Sequence, residues 1–393
     1  MESAWAINSK NSYAHFRSAN NFTGCHLHLK AGRPFFSSLR ILMTTDTHSE
    51  VWSYSLELAE AFHRKGHQVT LAAPGGSLSR EQRRQLRRLP RMEVFENPHL
   101  LAGANNAHAT RRWLLHLERQ VQPHLIHLNG YAHATLPWQA PKVVAMPICL
   151  LSWWQTSKKR TAPLLESTYQ EYVKRSLQAA DLVLVPTQTL LASLEESYGP
   201  LPQSRVVPVG RNPYPVHVTQ KHPYVLTTSQ GWDDHQNVVN LERVAPRLTW
   251  PIYILGNDHL PRRDNSHQWI NPIGQVSAKK RRTWFSQAAI YALPTRYEPF
   301  GLAVLEAAMA DCALVLGDIP NLREVWGDTA LYVPPDDPQA LEVALSLLMA
   351  DSNYRKLMAK RAYTHAQKFT AERMVEQFLT YCRGLVSFCQ PAI

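Results

Sequence analysis

The chain has 393 residues, of which 45% are hydrophobic and 19% are charged, and its formal net charge is +11. This length is enough for two domains with sizeable cores, and the composition is that of an ordinary globular protein. The sequence has no run of 18 or more uninterrupted apolar residues, which excludes a conventional membrane-spanning helix. Five cysteines are scattered without a CxxC pair, which argues against a disulfide framework or structural zinc and predicts a cytoplasmic protein.

The positive charge is concentrated in short basic runs such as residues 80–91 and 158–160. Each run is typical of a solvated helix face, and peripheral contact with an anionic membrane or an acidic glycan is the alternative. We expect no nucleic-acid binding, because no recognition helix or aromatic RNA-binding motif accompanies these runs. The histidines show no HExxH or comparable spacing, so no metal site is predicted.

A regular pattern of strands and helices begins after residues 1–39, which are predicted to be a disordered extension because they lack periodicity. Residues 41–45 predict a strand, 52–65 an amphipathic helix that ends at Gly66, and 69–73 a second strand. Further strands are predicted at 125–128, 142–146, 182–185 and 205–209, and further helices at 110–120, 164–179 and 188–198. This alternation predicts a doubly wound parallel sheet over residues 40–215.

A second series of the same kind follows the proline-rich segment 208–223, which is predicted to link two domains. Strands are predicted at 224–228, 252–255, 288–292, 313–316 and 330–333, and helices at 302–309, 338–350, from Asn353 onward and at 371–385. We therefore expect residues 216–365 to form a second Rossmann-like domain.

The most informative stretch is a turn between two glutamates. Glu298 and Glu306 stand eight positions apart around a Pro-Phe-Gly-Leu turn that opens an apolar helix. The backbone N–H groups of Gly301 and Leu302 would be free to hold a diphosphate or sugar oxygen. Glu306 would accept hydrogen bonds from a ribose diol, and Glu298 would face the sugar. Acidic residues also occur in first helical turns for the sake of the helix dipole alone, so the interpretation as a nucleotide-sugar site depends on the surrounding turn and strand.

This stretch also carries a family resemblance. Residues 287–337 resemble the donor-binding half of family 4 retaining glycosyltransferases, and residues 51–59 and 66–69 resemble the first half of the same family. The resemblance covers about residues 40–380 and implies the GT-B fold, in which two Rossmann-like, doubly wound parallel-sheet domains face one cleft. It implies that the second domain binds a nucleoside-diphosphate sugar and the first domain the acceptor. It also implies that a C-terminal helix within residues 366–393 packs back toward the first domain.

The sequence departs from the family pattern where the sugar-donor phosphates are expected. Gln230 stands where an arginine is usual, and Gln236 stands where a lysine is usual. Each replacement would remove a charge-assisted hydrogen bond of about 1.5–3 kcal/mol. Three arginines elsewhere are candidates to compensate, namely Arg211, Arg296 and Arg323.

Further departures lie in the first domain. Ser49 and Glu50 occupy a loop where the family usually has a glycine pair, and Pro147 takes the place of a histidine. His133 is the nearest polar candidate to replace that histidine, and a surface or capping role fits His133 equally well.

The family resemblance implies a retaining glycosyltransferase of the hexosyltransferase type, with Glu298 as the catalytic residue. The predicted donor-binding residues are Glu306, Gly301, Leu302, Phe300, Gln230, Gln236 and Asn237, and the predicted acceptor-side residues are His133, Glu50 and Ser49. We expect no metal, because Asp233 and Asp234 are adjacent and do not form an Asp-x-Asp motif, and no cofactor besides the nucleotide sugar. The acceptor is left open as a glycan, a lipid or a small molecule. The alternative function is a catalytically impaired binding protein, a pseudoenzyme.

Overall fold

The computed structural model describes residues 38–387, except for residues 48–49, 76, 88, 90–91, 98–106, 159–165, 213–219, 230–235 and 257–268. The predicted extension at residues 1–39 therefore lies outside the described residues, apart from its last two positions. None of the helices in the described part of the chain combines the length and apolarity that a membrane crossing requires.

The first half of the chain builds a parallel sheet flanked by helices. Its strands are β1 (Arg40–Thr44), β2 (Gln68–Ala73), β3 (Glu93–Glu96), β4 (Leu125–Asn129), β5 (Lys142–Ala145), β6 (Leu182–Val185) and β7 (Ser204–Val206). Its helices are α1 (Glu50–Arg64), α2 (Arg80–Leu86), α3 (Ala107–Val121), α4 (Leu150–Lys158), α5 (Glu166–Gln178) and α6 (Gln188–Tyr198). Within the described residues the strand order is β3-β2-β1-β4-β5-β6-β7.

The second half repeats this layout. Its strands are β8 (His222–Ser229), β9 (Ile252–Gly256), β10 (Ile270–Gly274), β11 (Ala288–Leu293), β12 (Ala313–Gly317) and β13 (Leu331–Val333). Its helices are α7 (Val238–Val244), a short 3₁₀ helix (Ala245–Arg247), α8 (Ala278–Gln287), α9 (Leu302–Met309), α10 (Pro320–Trp326), α11 (Pro338–Ala350), α12 (Ser352–Ala366) and α13 (Ala371–Ser387). The described strands follow the order β10-β9-β8-β11-β12-β13.

Both sheets are parallel and doubly wound, which confirms the predicted fold class. The central strands read as continuous apolar runs because helices cover both faces of each sheet. The strand order reverses between β1 and β4 in the first sheet and between β8 and β11 in the second. In such sheets, ligands bind beyond the carboxyl ends of the strands at these reversal points.

The C-terminal helix α13 packs against α1 in the first half. Phe378 on α13 lies edge-on to Phe62 with ring centroids 5.1 Å apart, and Lys65 forms an ion pair of 2.8 Å with Glu376. The segment that leaves the first sheet passes close to the start of α13. A Cβ atom at Gly210 would lie 2.1 Å from the carbonyl oxygen of Thr370, so only glycine permits this approach. The predicted domain boundaries stay predictions.

Candidate functional site

A cavity of about 530 Å³ lies at the carboxyl ends of the two sheets. The first half contributes residues of α1 and α4, and the loop between β5 and α4. The second half contributes the turn before α9 together with Thr228 and Gln236, and α13 contributes Met374 and Phe378. The cavity therefore occupies the place where this fold class binds its ligands.

The turn before α9 places Glu298 on the cavity wall. The Glu298 Oε1 atom accepts hydrogen bonds from the backbone N–H groups of Gly301 at 2.9 Å and Phe300 at 3.4 Å. Gly301 has a φ of +88°, and a Cβ atom there would lie 3.0 Å from Cγ2 of Val304. The turn therefore requires glycine at this position.

The first residues of α9 face the same cavity. Leu302 and Ala303 line it, and the N–H groups of a first helical turn lack acceptors within their helix. The positive end of the helix dipole adds to the attraction of these N–H groups for an anion. Phe300 also lines the cavity and lies edge-on to Phe369, with ring centroids 5.6 Å apart. The structure thus brings together Glu298, Phe300, Gly301 and Leu302 from the predicted site. The prediction that the Gly301 N–H is free for a ligand is wrong in this structure, because this N–H donates to Glu298.

Glu306 lies deeper than these residues. It is 2% exposed, and its carboxylate forms ion pairs with the guanidinium groups of Arg211 and Arg281, the latter at 2.8 Å. Its side chain is not among the described groups that line the cavity. A ribose diol at Glu306 would share the carboxylate with the two arginines, so the predicted ribose contact stays a prediction.

Arg211 links the two halves of the chain. Its Nε atom donates to Oε1 of Glu57 on α1 at 3.0 Å, and the same guanidinium contacts Glu306 on α9. Burial raises the pKa of Glu57, and the charge of Arg211 acts in the opposite direction. The backbone N–H of Arg211 donates to the carbonyl oxygen of Phe369 at 3.0 Å, and this bond holds the backbone of Arg211 in place.

The other two candidate compensating cations also have acidic partners. Arg296 pairs with Asp336 at 2.6 Å, and Nη2 of Arg323 donates to Asp318 at 2.8 Å. The hydrogen bond from Arg323 lowers the pKa of Asp318. Among the described residues that line the cavity there is no lysine, arginine or histidine.

The predicted phosphate-binding segment is described only in part. Gln230 lies outside the described residues, whereas Gln236 is buried and lines the cavity. Asn237 has a φ of +57°, and its Nδ2 atom donates to the carbonyl oxygens of Pro294, at 3.0 Å, and Pro335. The Asn237 side chain therefore ties two loops together, and its predicted contact with the sugar donor stays a prediction.

Of the three predicted acceptor-side residues, only His133 has a described side chain. Ser49 and the side chain of Glu50 lie outside the described part of the chain. His133 is not among the described cavity residues, and its carbonyl oxygen accepts a hydrogen bond of 2.9 Å from Trp138. Burial and the nearby charge of Arg111 lower the pKa of His133. Pro147, in contrast, lines the cavity directly.

The sequence analysis did not identify a buried polar network, which lies behind the part of the cavity wall that the first half contributes. Asn129 lines the cavity, and its Nδ2 atom donates to the carbonyl oxygen of Thr44 at 2.7 Å and to Oγ of Ser55 at 3.0 Å. Its Oδ1 atom lies 3.2 Å from Nε2 of His127, which is fully buried. Burial lowers the pKa of His127 to about 4, and the hydrogen bond to Asn129 acts against this shift. The sequence signals for this network were the position of Asn129 directly after a predicted strand and the family resemblance of residues 127–133.

Two contacts join the halves beside the cavity. The Tyr297 hydroxyl lies 3.2 Å from the backbone nitrogen of Cys149 and 3.1 Å from its carbonyl oxygen. The carboxylate of Glu324 on α10 accepts hydrogen bonds from the N–H groups of Gln188 at 2.6 Å and Thr189 at 2.7 Å, in the first turn of α6. Glu324 therefore caps α6 across the cleft.

Potential metal ligands are dispersed in the described residues, which contain no group of three or more His, Cys, Asp or Glu side chains able to hold an ion. The predicted independence from metal stays a prediction.

Two family models match the chain in succession. Residues 51–213 match Glycosyltransferase Family 4, and residues 223–351 match Glycosyl transferases group 1. The O-antigen chain mannosyltransferase B of Escherichia coli is 24% identical over 163 residues, which are 42% of this chain and 38% of that protein. A D-inositol 3-phosphate glycosyltransferase of Corynebacterium urealyticum is 33% identical over 103 residues, 26% of this chain and 24% of that protein. The chain thus spans less than two-fifths of the length of these curated relatives.

Solved structures resemble the chain over most of its length. Sucrose-phosphate synthase from Thermosynechococcus elongatus superposes with a TM-score of 0.72 at 18% identity and covers 89% of this chain and 100% of its own. Anabaena Alr3699/HepE, solved in complex with UDP and glucose, gives a TM-score of 0.68 at 14% identity and covers 88% of this chain and 100% of its own. At these identities the likeness establishes the fold alone, which is the two-domain GT-B fold.

Proposed function

Because the chain belongs to glycosyltransferase family 4, we propose that it transfers a sugar from a nucleoside-diphosphate sugar to an acceptor hydroxyl, with retention of configuration. A hexosyl group is favoured by the similarity to a mannosyltransferase, and a nucleotide donor by the UDP bound to Alr3699/HepE. The observation that carries the proposal is the placement of Glu298 and the start of α9 on one wall of the cavity.

In this proposal the turn before α9 binds the sugar donor. Glu298 accepts hydrogen bonds from sugar hydroxyls, and the N–H groups of Leu302 and Ala303 attract the diphosphate. Gln236 donates a hydrogen bond to the diphosphate without neutralising its charge. Glu306 accepts hydrogen bonds from the ribose and shares its carboxylate between the ribose, Arg211 and Arg281.

The transfer itself needs no basic side chain on the cavity wall. The bond between the anomeric carbon and the phosphate oxygen breaks, and its electron pair leaves with the nucleoside diphosphate. The acceptor oxygen bonds to the anomeric carbon on the face that the diphosphate leaves. The acceptor proton passes to an oxygen of the departing diphosphate, which suits a site where Pro147 stands in place of a histidine.

A donor screen tests the proposal. Purified full-length protein is incubated with UDP-, GDP- and ADP-sugars, and release of nucleoside diphosphate is measured with and without pooled acceptors. We expect release with one nucleotide class, and NMR of the product should show the anomeric configuration of the donor. Loss of one charged acceptor in Glu298→Gln should lower kcat/KM by about 10- to 150-fold.

A control substitution on the surface distinguishes a loss of activity at the cavity from a general effect of removing a negative charge. Glu342→Gln removes a charge from α11, where Glu342 pairs with Arg247 on the protein surface, and should leave kcat/KM unchanged. Equal losses in the two variants, or no nucleotide binding in calorimetry, would contradict the proposed function. An inverted product would contradict retention alone.

A nucleotide-sugar-binding protein without turnover is the second candidate. It is favoured by the lack of a cation among the described cavity residues and by Gln236 at the expected lysine position. Tight nucleotide binding without release would support it. In that case Gln230→Arg/Gln236→Lys should raise turnover strongly, because it restores two charges at the diphosphate.

A further inference from the structure

We propose that the acceptor is an amphiphile, in which an alkyl or aryl group lies next to the hydroxyl that receives the sugar. This inference rests on the proposed function, since it names the acceptor class of the same cavity. The binding surface for the apolar group is the apolar wall, which we define as Val51, Met146, Pro147, Ile148, Leu150 and Trp153.

The apolar wall comes entirely from the first half of the chain, the acceptor side in the proposed function. Val51 belongs to α1, residues 146–148 follow β5, and Leu150 and Trp153 lie on α4. Aliphatic and aromatic side chains of this kind bind hydrocarbon by removing it from water. They offer few hydrogen bonds to a glycan made only of hydroxyl groups.

Among the described residues, the polar groups near the apolar wall are few and uncharged. Both N–H bonds of the Asn129 amide are directed to Thr44 and Ser55, and its oxygen faces His127. Burial raises the pKa of Tyr54, which keeps its phenol neutral. A phosphate or carboxylate on the acceptor would therefore lose its hydration here without gaining a cationic partner among the described cavity residues.

The cavity has room for the hydrocarbon and an exit for a longer one. Its volume of about 530 Å³ falls in the range of small-molecule sites. In the proposed function the hydrocarbon shares it with the transferred sugar and the diphosphate. Leu150 lines the cavity and is still 39% exposed, so the apolar wall continues to the solvent. An alkyl chain longer than the cavity could leave along Leu150.

The apolar wall is not simply the surface that the two halves bury against each other. The contacts between the halves are already made in this structure, at Tyr297 with Cys149 and at Glu324 with α6. The cavity remains open beside them, and Glu298 and Leu302 line it together with the apolar wall. An apolar group bound there lies beside the transferred sugar.

The test compares two uncharged ligands that differ only in hydrocarbon. Calorimetry measures the Kd of methyl and octyl α-D-mannopyranoside for the full-length protein, below the micelle concentration of the octyl compound, with and without a nucleoside diphosphate. Each buried methylene should tighten binding about fourfold. Three buried methylenes therefore give octyl an advantage of about 60-fold, and kcat/KM for transfer should follow the same order.

Matched variants locate the effect. Leu150→Gln should reduce the octyl advantage by about tenfold, whereas Leu347→Gln, at a similarly exposed leucine on α11, should leave it unchanged. Trp153→Ala and the control Trp269→Ala give the same comparison for tryptophan. The Kd for the nucleoside diphosphate should stay constant in all four variants.

Each outcome decides between the two proposals. Equal binding of the octyl and methyl compounds, or equal octyl affinity in Leu150→Gln and Leu347→Gln, overturns the amphiphile inference while nucleotide binding and release still support the transferase. Absence of nucleotide binding and release overturns the transferase proposal, whatever the glycosides do. Preferential octyl binding that depends on Leu150 and Trp153 supports the inference.

Discussion

Replacing Arg211 by leucine is expected to destabilise the protein by about 3–5 kcal/mol, the usual cost of removing one partner from a buried ion pair. Glu306 is 2% exposed and would lose its ion pair with Arg211 while keeping the one with Arg281, and Glu57 would lose its ion pair with Arg211. The buried Glu306 carboxylate would then be ionised at a higher desolvation cost or would take up a proton.

Equilibrium urea unfolding of the full-length chain measures this cost. The control is Arg247→Leu, which breaks the pair with Glu342 on the surface, where the Arg247 side chain is 50% exposed and the expected loss is below about 1 kcal/mol. The double variant Arg211→Leu/Glu306→Leu should recover part of the loss, because it removes one stranded charge. If Arg211→Leu costs no more than Arg247→Leu, the argument from buried charge is wrong.

Two further predictions concern the turn and the buried histidine. Gly301→Ala should destabilise the protein by about 1–3 kcal/mol, because φ at this position is +88°. Gly384→Ala should stabilise the protein by up to about 1 kcal/mol, because Gly384 lies in α13 and a Cβ atom there meets nothing within 4 Å. Thermal unfolding measures both effects. The second prediction concerns pH. The unfolded chain protonates His127 near pH 6.5 and the folded protein only near pH 4, so stability should fall as the pH drops through this window, by about 3 kcal/mol in all. His127→Gln should show a shallower fall between pH 6.5 and 4 in urea unfolding, and an unchanged slope would contradict the assignment.

The elements with a strong local signal were predictable from the sequence. The helix predicted at 338–350 begins and ends as predicted, because Asp337 caps it, Pro338 suits its first turn and its apolar residues recur at helical spacing. The helix at 302–309 is likewise confirmed. The strand before it ends at Leu293, since Pro294 lacks the N–H that the ladder needs.

Helix α2 has no buried residue and no apolar stripe, and only its basic run, which was interpreted as a solvated helix face, indicated it. Elements without any local signal were missed. Strand β10 contains Pro272, which argues against a central strand, and the structure places β10 at the edge of its sheet. Helix α4 is short, and its two tryptophans gave no clear period.

The candidate site was predictable where it lies in one continuous segment. Glu298, Phe300, Gly301 and Leu302 are neighbours in sequence, and all four line the cavity. The partners of Glu306 were not predictable, because Arg211 reaches it only after the chain leaves the first sheet and passes the start of α13. Sequence spacing carries no information about a contact that the tertiary fold creates.

The double hydrogen bond of the Tyr297 hydroxyl to Cys149 has a mechanical consequence. The turn before α9 and the loop that bears Pro147 cannot be displaced separately without breaking both bonds. A displacement of the turn is therefore transmitted to the loop, and a displacement of the loop to the turn. Coupling of this kind between two binding events must be reciprocal. If binding of the proposed nucleotide sugar improves affinity for the acceptor, the acceptor must improve affinity for the nucleotide sugar by the same factor.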